Sequence, residues 1–199
     1  MSNNKLALYN KYKDDMKTGD LLQWQSNVWY KRLWRWVTHS KVEHSSMVLR
    51  LQEYQGPDKR RFILESRDHG TVLNLLSKRL EEFDGEVKWY PLDDTWHPYR
   101  KRTGEEMLKM IGRPYNFAGF VKLTLRHAIG VKCRKILNKT VLKWFVDWVN
   151  QVGKREVFCS EYCYLAYEAT GHMRFILTDP PSPDDMMTLK IFKDGKKIL

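Results

Sequence analysis

FCSEYCYLAYEATG, residues 158–171, is the stretch on which the reading turns. Phe158, Tyr162, Leu165 and Ala166 recur at helical spacing on one face, and Gly171 supplies the stop, so the segment predicts a helix. Cys159 then falls in its first turn, where unsatisfied backbone N–H groups and the helix dipole favour thiolate over thiol. That is a nucleophile's position. It is equally a place for a small buried residue, since free cysteine is among the most buried residue types. Cys163, one turn on, reads as packing, and Cys133 carries no signal. Three cysteines at these spacings make neither a metal knuckle nor a disulfide framework, which favours a reducing compartment.

A thiolate nucleophile needs an imidazole base and a third polar group to orient that imidazole. Six histidines compete for the role. His44 opens the alternating, β-rich run VEHSSMVLRLQEY, and Glu65 lies in KRRFILESRD, the next strand after the turn signal QGPDK. Antiparallel pairing of these two strands would bring the carboxylate to the ring. His39, His69, His97, His127 and His172 lie in loops or basic stretches and are expected to be exposed. LLQWQ and EVKWYPLD read as further strands. TGEEMLKMIG reads as a helix with Thr103 as N-cap and Gly112 as its close. With strands early and helices late, the order is α+β.

The chain of 199 residues, 42% hydrophobic, is long enough for one domain with a sizeable core. Its 13% aromatic content excludes global disorder. Thirty-five Lys and Arg against 24 Asp and Glu leave +11, which points to phosphate, an anionic membrane or an acidic polymer as partner. Much of the charge is local: residues 121–155 hold nine Lys or Arg against Asp147 alone, a net of +8. A second basic stretch, NVWYKRLWRWVTHSK, alternates Lys31, Arg32, Arg35 and Lys41 with Trp29, Tyr30, Trp34 and Trp36. It reads as a lid or interfacial loop, or as part of a tryptophan-rich core. The N-terminus shows no apolar run of signal-peptide length, and nowhere do about 18 apolar residues follow one another, so a cytoplasmic protein is expected.

The order of motifs resembles a known family. TGDLLQW (18–24), THSKVEHSSMVL (38–49), FILESRDHGTVLNLL (62–76), IGRPYNFAGF (111–120), FCSEYCYLAYEATG and TDPPSPDDM (178–186) look like the YiiX-like group of circularly permuted papain-fold amidases and peptidases of the NlpC superfamily. The resemblance covers about residues 18–120 and 156–188 and implies a permuted papain-like α+β fold, an antiparallel sheet against helices; the chain reads as a single domain over 1–199, with 121–155 as a basic helical insert that the resemblance leaves unexplained. It further implies Cys159 as nucleophile, His44 as general base and Glu65 as the residue that orients it. Tyr115 would help hold the oxyanion beside the Cys159 N–H. Asn116 stands where Asp is common in the group. Glu161 would face substrate or make a structural hydrogen bond. No metal or organic cofactor is implied.

The activity that follows is cleavage of an amide bond, in a peptide, an isopeptide or a peptidoglycan stem, through a thioester. Two other readings stay open. A lecithin retinol acyltransferase-like enzyme would act on lipid esters, with the basic and Trp-rich segments on an anionic bilayer. A non-catalytic protein on the same scaffold would bind polyanion or membrane through its charge. The insert itself reads either as a membrane-surface helix, with Trp144, Phe145, Trp148 and Val149 on its apolar side, or as a packing helix with a solvated basic face. No signature for sequence-specific nucleic-acid binding is present.

Overall fold

The computed structural model describes residues 5–38, 40–51, 60–67, 69–115, 159–173 and 181–199. The insert 121–155 with Cys133 and His127, as well as His39, Asn116 and Phe158, lies outside them. The fold is α+β. In chain order come α1 (Ala7–Tyr12), β1 (Leu21–Ser26), α2 (Trp29–Thr38), β2 (His44–Leu49), β3 (Phe62–Arg67), β4 (Gly70–Leu75), α3 (Leu76–Glu82), β5 (Gly85–Tyr90) and α4 (Arg100–Leu108). Then follow α5 (Cys159–Glu168) and the short edge strand β6 (Lys196–Lys197). The strands form one antiparallel six-stranded sheet in the order β4-β3-β2-β1-β5-β6. Helices α2 and α3 interrupt the strands, so the expected separation of early strands from late helices does not hold.

Both faces of the sheet are covered. Leu21, Met47, Leu49 and Leu64 point to one side and pack with Met107 of α4 and Tyr162, Cys163, Ala166 and Tyr167 of α5. Leu22, Trp24, Val48 and Ile63 point to the other and pack with Tyr9 of α1, Leu76 and Leu80 of α3, and Trp89. This two-sided burial explains why β2 is buried from Ser45 onward although half its residues are polar. Alternation in the sequence marks the strand, but here both of its faces are interior.

Two local expectations are corrected. Thr103 is not an N-cap: a 3₁₀ turn over Asp94–Tyr99, capped by Asp93 accepting from the Thr95 N–H at 3.0 Å, leads straight into α4. The Thr103 hydroxyl instead donates back to the Tyr99 carbonyl at 3.0 Å. Nor does α5 have a single apolar face. Tyr162, Cys163, Tyr164, Ala166 and Tyr167 are all buried, because the sheet lies on one side and α4 on another.

Asp20 fastens β1 to its surroundings. Its carboxylate, 1% exposed, accepts from the Trp89 indole at 2.9 Å, the Leu92 N–H at 3.1 Å, the Lys17 N–H at 2.9 Å and Arg100 Nη1 at 2.7 Å. A buried charge so fully bonded holds the strand that carries Trp24 and Gln23 below the site.

Candidate active site

Pairing of β1 with β2 runs to the strand end, with Trp24 opposite His44. Pairing of β2 with β3 covers only Met47–Leu49 against Phe62–Leu64. A side chain of α5 marks where it stops. The Tyr162 hydroxyl accepts from the Met47 N–H at 3.0 Å and donates to the Leu64 carbonyl, standing between two groups that face each other across the sheet. Burial holds that phenol pKa well above its ordinary value, which keeps the donating proton in place.

Beyond this wedge the two strands are served separately. N–H groups alternate along a strand, so Ser45 N–H points the same way as Met47 N–H, toward β3. It meets the Cys159 sulfur instead, and the Ser160 N–H at the start of α5 also bonds the sulfur. The opening explains how a cysteine on one face of the sheet reaches a histidine belonging to the other. His44, first residue of β2, shares its face with Trp24 and Glu65, and its ring hydrogen-bonds the Cys159 thiol.

The far side of the ring is held by carboxylate. His44 Nε2 lies 2.9 Å from Glu65 Oε2, which leaves Nδ1 for the sulfur. Glu65 is fully buried; its Oε1 accepts from Asn74 Nδ2 at 2.9 Å and Arg79 Nε at 3.1 Å. The Arg79 guanidinium also sits over the Trp24 ring, 5.1 Å from its centroid. The Trp24 indole N–H donates to Ser46 Oγ at 2.7 Å. Asn74 and Arg79 are missing from the sequence reading. Period-2 spacing in GTVLNL would have placed Asn74 on the Glu65 face, since Glu65 pairs with Val72, whereas nothing local to α3 points Arg79 at the site.

The electrostatics follow from this chain of contacts. Burial works against charge on Cys159, but the hydrogen bond and charge of His44, together with the Ser45 and Ser160 N–H groups, lower its pKa. Burial also disfavours the imidazolium; the bonds to Cys159 and then to Glu65 outweigh it and raise His44 to about 9. Glu65, likewise opposed by burial, is brought down to about 2 by His44, Arg79 and Asn74. The arrangement supports a thiolate–imidazolium pair. Cys163 is the contrast: fully buried, it is pushed well above the ordinary thiol value, and its thiol donates to the Cys159 carbonyl at 3.2 Å.

The remaining sequence candidates are placed as follows. Tyr115 is half-buried just after a segment in which Gly112 N–H and the Arg113 carbonyl bond Thr71 of β4, at 2.9 and 2.8 Å. Glu161 is half-buried in the first turn of α5. Of the other described histidines, His69 and His97 are exposed. His172 is not: it stacks on Tyr99 with ring centroids 4.0 Å apart. Among the described residues no group of three or more His, Cys, Asp or Glu could hold a metal ion.

The PSPD segment closes one side of the site. Ser160 Oγ donates to the Pro181 carbonyl and Gln23 Nε2 to the Pro183 carbonyl, both at 2.6 Å. Asp184 Oδ2 accepts from the Lys41 N–H at 3.0 Å and from the Ser40 hydroxyl. A separate cleft of about 570 Å³, lined by Lys17, Arg50, Arg100 and Lys101, lies past Leu49, at the opposite end of β2 from His44.

No protein-family model matches the chain, and no curated protein matches it. Among solved structures it is similar to that of the metalloprotein yiiX (DUF1105) from Escherichia coli O157:H7, at 14% identity and a TM-score of 0.45, over 75% of this chain and 92% of that one. At that level the likeness places neither the fold nor the activity.

Proposed function

We propose that the protein is a cysteine hydrolase of permuted papain-like fold that cleaves amide bonds through a thioester. The observation that carries the reading is the line Cys159–His44–Glu65, in which one imidazole bonds both the thiol and a buried carboxylate. Its chain order, histidine, then acid, then cysteine, is the order that permutation of a papain-like fold requires.

In this mechanism the Cys159 thiolate attacks the carbonyl carbon and the C=O pair moves onto oxygen. The Cys159 N–H at the start of α5, with the Tyr115 hydroxyl, receives the developing oxyanion. As the carbonyl re-forms, the C–N bond breaks and the His44 imidazolium gives its proton to the leaving nitrogen. Neutral His44 then takes a proton from water, the hydroxide attacks the thioester, and thiolate leaves. Glu65 keeps the ring oriented and stabilises its charged form throughout.

A lipid ester is the second substrate class, favoured by the exposed apolar residues of α2 near the site. The test is acyl-enzyme formation with matched peptide-amide and phospholipid reporters. Cys159→Ala and His44→Ala are expected to abolish it with the fold retained, and turnover by both variants would overturn the reading. Release from the amide reporter alone selects the first substrate class.

A further inference from the structure

Helix α2 turns four large apolar side chains to the solvent. A surface helix normally turns its apolar stripe to the core and its charges to water. In Trp29–Thr38 the large apolar side chains Trp29, Tyr30, Leu33 and Trp36 are 74%, 55%, 52% and 74% exposed. At 100° per residue these four share one side of the helix. Among the described side chains of α2 the buried one, on the opposite side, is a cation: Arg35, 8% exposed, pairs with Glu43, whose other oxygen accepts the Ser26 N–H at 2.6 Å. The ion pair thus ties the Arg35 side of α2 to the protein and turns the side bearing Trp29, Leu33 and Trp36 outward. Four of the seven exposed large hydrophobic residues among those described lie on this helix.

The flanking charge indicates what the front meets. No acid occurs in α2; Arg32 beside the apolar stripe and Lys41 beyond the helix are exposed, and the chain as a whole carries +11. A second copy would bring the same cations against each other. Trp and Tyr with adjacent Lys and Arg suit the boundary between acyl chains and anionic headgroups, where an aromatic ring is half in each medium. A 10-residue helix, about 15 Å long, is too short to cross and suits lying in the plane.

We propose that α2 is a membrane-docking helix that seats the protein on an anionic bilayer through Trp29, Tyr30, Leu33 and Trp36. Docking is independent of the chemistry at Cys159. Because Glu43, the anchor of α2, immediately precedes His44, the docked helix would hold the His44 end of β2 toward the bilayer.

The test is flotation of the full chain with phosphatidylglycerol/phosphatidylcholine vesicles and with phosphatidylcholine alone, at low salt, for wild type and for Trp29→Ser/Trp36→Ser. The expected result is binding to the anionic vesicles that weakens on the order of tenfold or more in the variant. Unchanged thermal unfolding and Cys159 labelling would show that the variant's fold is intact. Absence of wild-type binding would overturn the proposal. So would equal binding by the variant, which would move membrane contact to another segment, or a vesicle-free dimer that the double substitution dissolves, which would assign the face to a second copy.

Discussion

His44 Nε2 and Glu65 Oε2 lie 2.9 Å apart, and the second oxygen of the same carboxylate is held by Asn74 and Arg79. Glu65 is therefore fixed at both oxygens, and the imidazole inherits that fixity. In Glu65→Gln the negative charge that helps raise His44 toward 9 is gone. The pH profile of kcat/KM is expected to narrow as its alkaline limb moves to lower pH, with the maximum on the order of tenfold or more below wild type. An unmoved alkaline limb would remove Glu65 from its positioning role.

The same carboxylate should appear in acid stability. Glu65 falls from an ordinary value of 4.5 to about 2 on folding, so its contribution is fully present above about pH 4.5 and is lost as pH falls through about 2. Its size is on the order of 3 kcal/mol. Denaturant unfolding of wild type and Glu65→Gln should show a gap that is steady between about pH 5 and 6, below the range in which His44 titrates, and closes across that window.

Tyr162→Phe removes the hydroxyl that separates Met47 from Leu64. Two buried backbone groups then lose their partner or the strands close, at a cost of about 1–3 kcal/mol. Closing the strands would also take the Ser45 N–H from the sulfur, so the Cys159 pKa is expected to rise. Thermal unfolding reads the first effect and thiol titration the second, which separates positioning from mere packing.

Gly70 opens β4 with φ +98°, and a Cβ there would stand 2.6 Å from the Arg113 carbonyl oxygen. Gly70→Ala should cost about 1–3 kcal/mol through strain alone and push away the segment that precedes Tyr115. A fall in thermal midpoint accompanied by slower acyl-enzyme formation is the expected pattern. Wild-type stability would contradict the conformation.

The elements that build the site were largely legible in sequence. The run around His44, the strand of Glu65 and the helix opening at Cys159 carry strong local signals, and pairing of the first two follows from their succession. What was hidden depends on distant contacts. Tyr162 reads as an apolar core residue on its helix, and only its hydroxyl in the gap between β2 and β3 gives it a further part. Arg79 belongs to a short helix whose apolar pair, Leu76 and Leu80, marks the core side but not the partner that the guanidinium meets. The Trp-rich stretch left core and surface equally open, because hydrophobic periodicity defines a stripe but not the side to which it turns. That was decided by the Arg35–Glu43 pair.

The central claim, an activated thiol at Cys159, is tested most directly by its alkylation rate against pH, resolved from Cys133 and Cys163 by peptide mapping. The account predicts a titration displaced below the ordinary thiol value of about 8.5, returning toward that value in His44→Ala. A wild-type Cys159 that titrates as an ordinary thiol, or whose titration ignores His44→Ala, would contradict it.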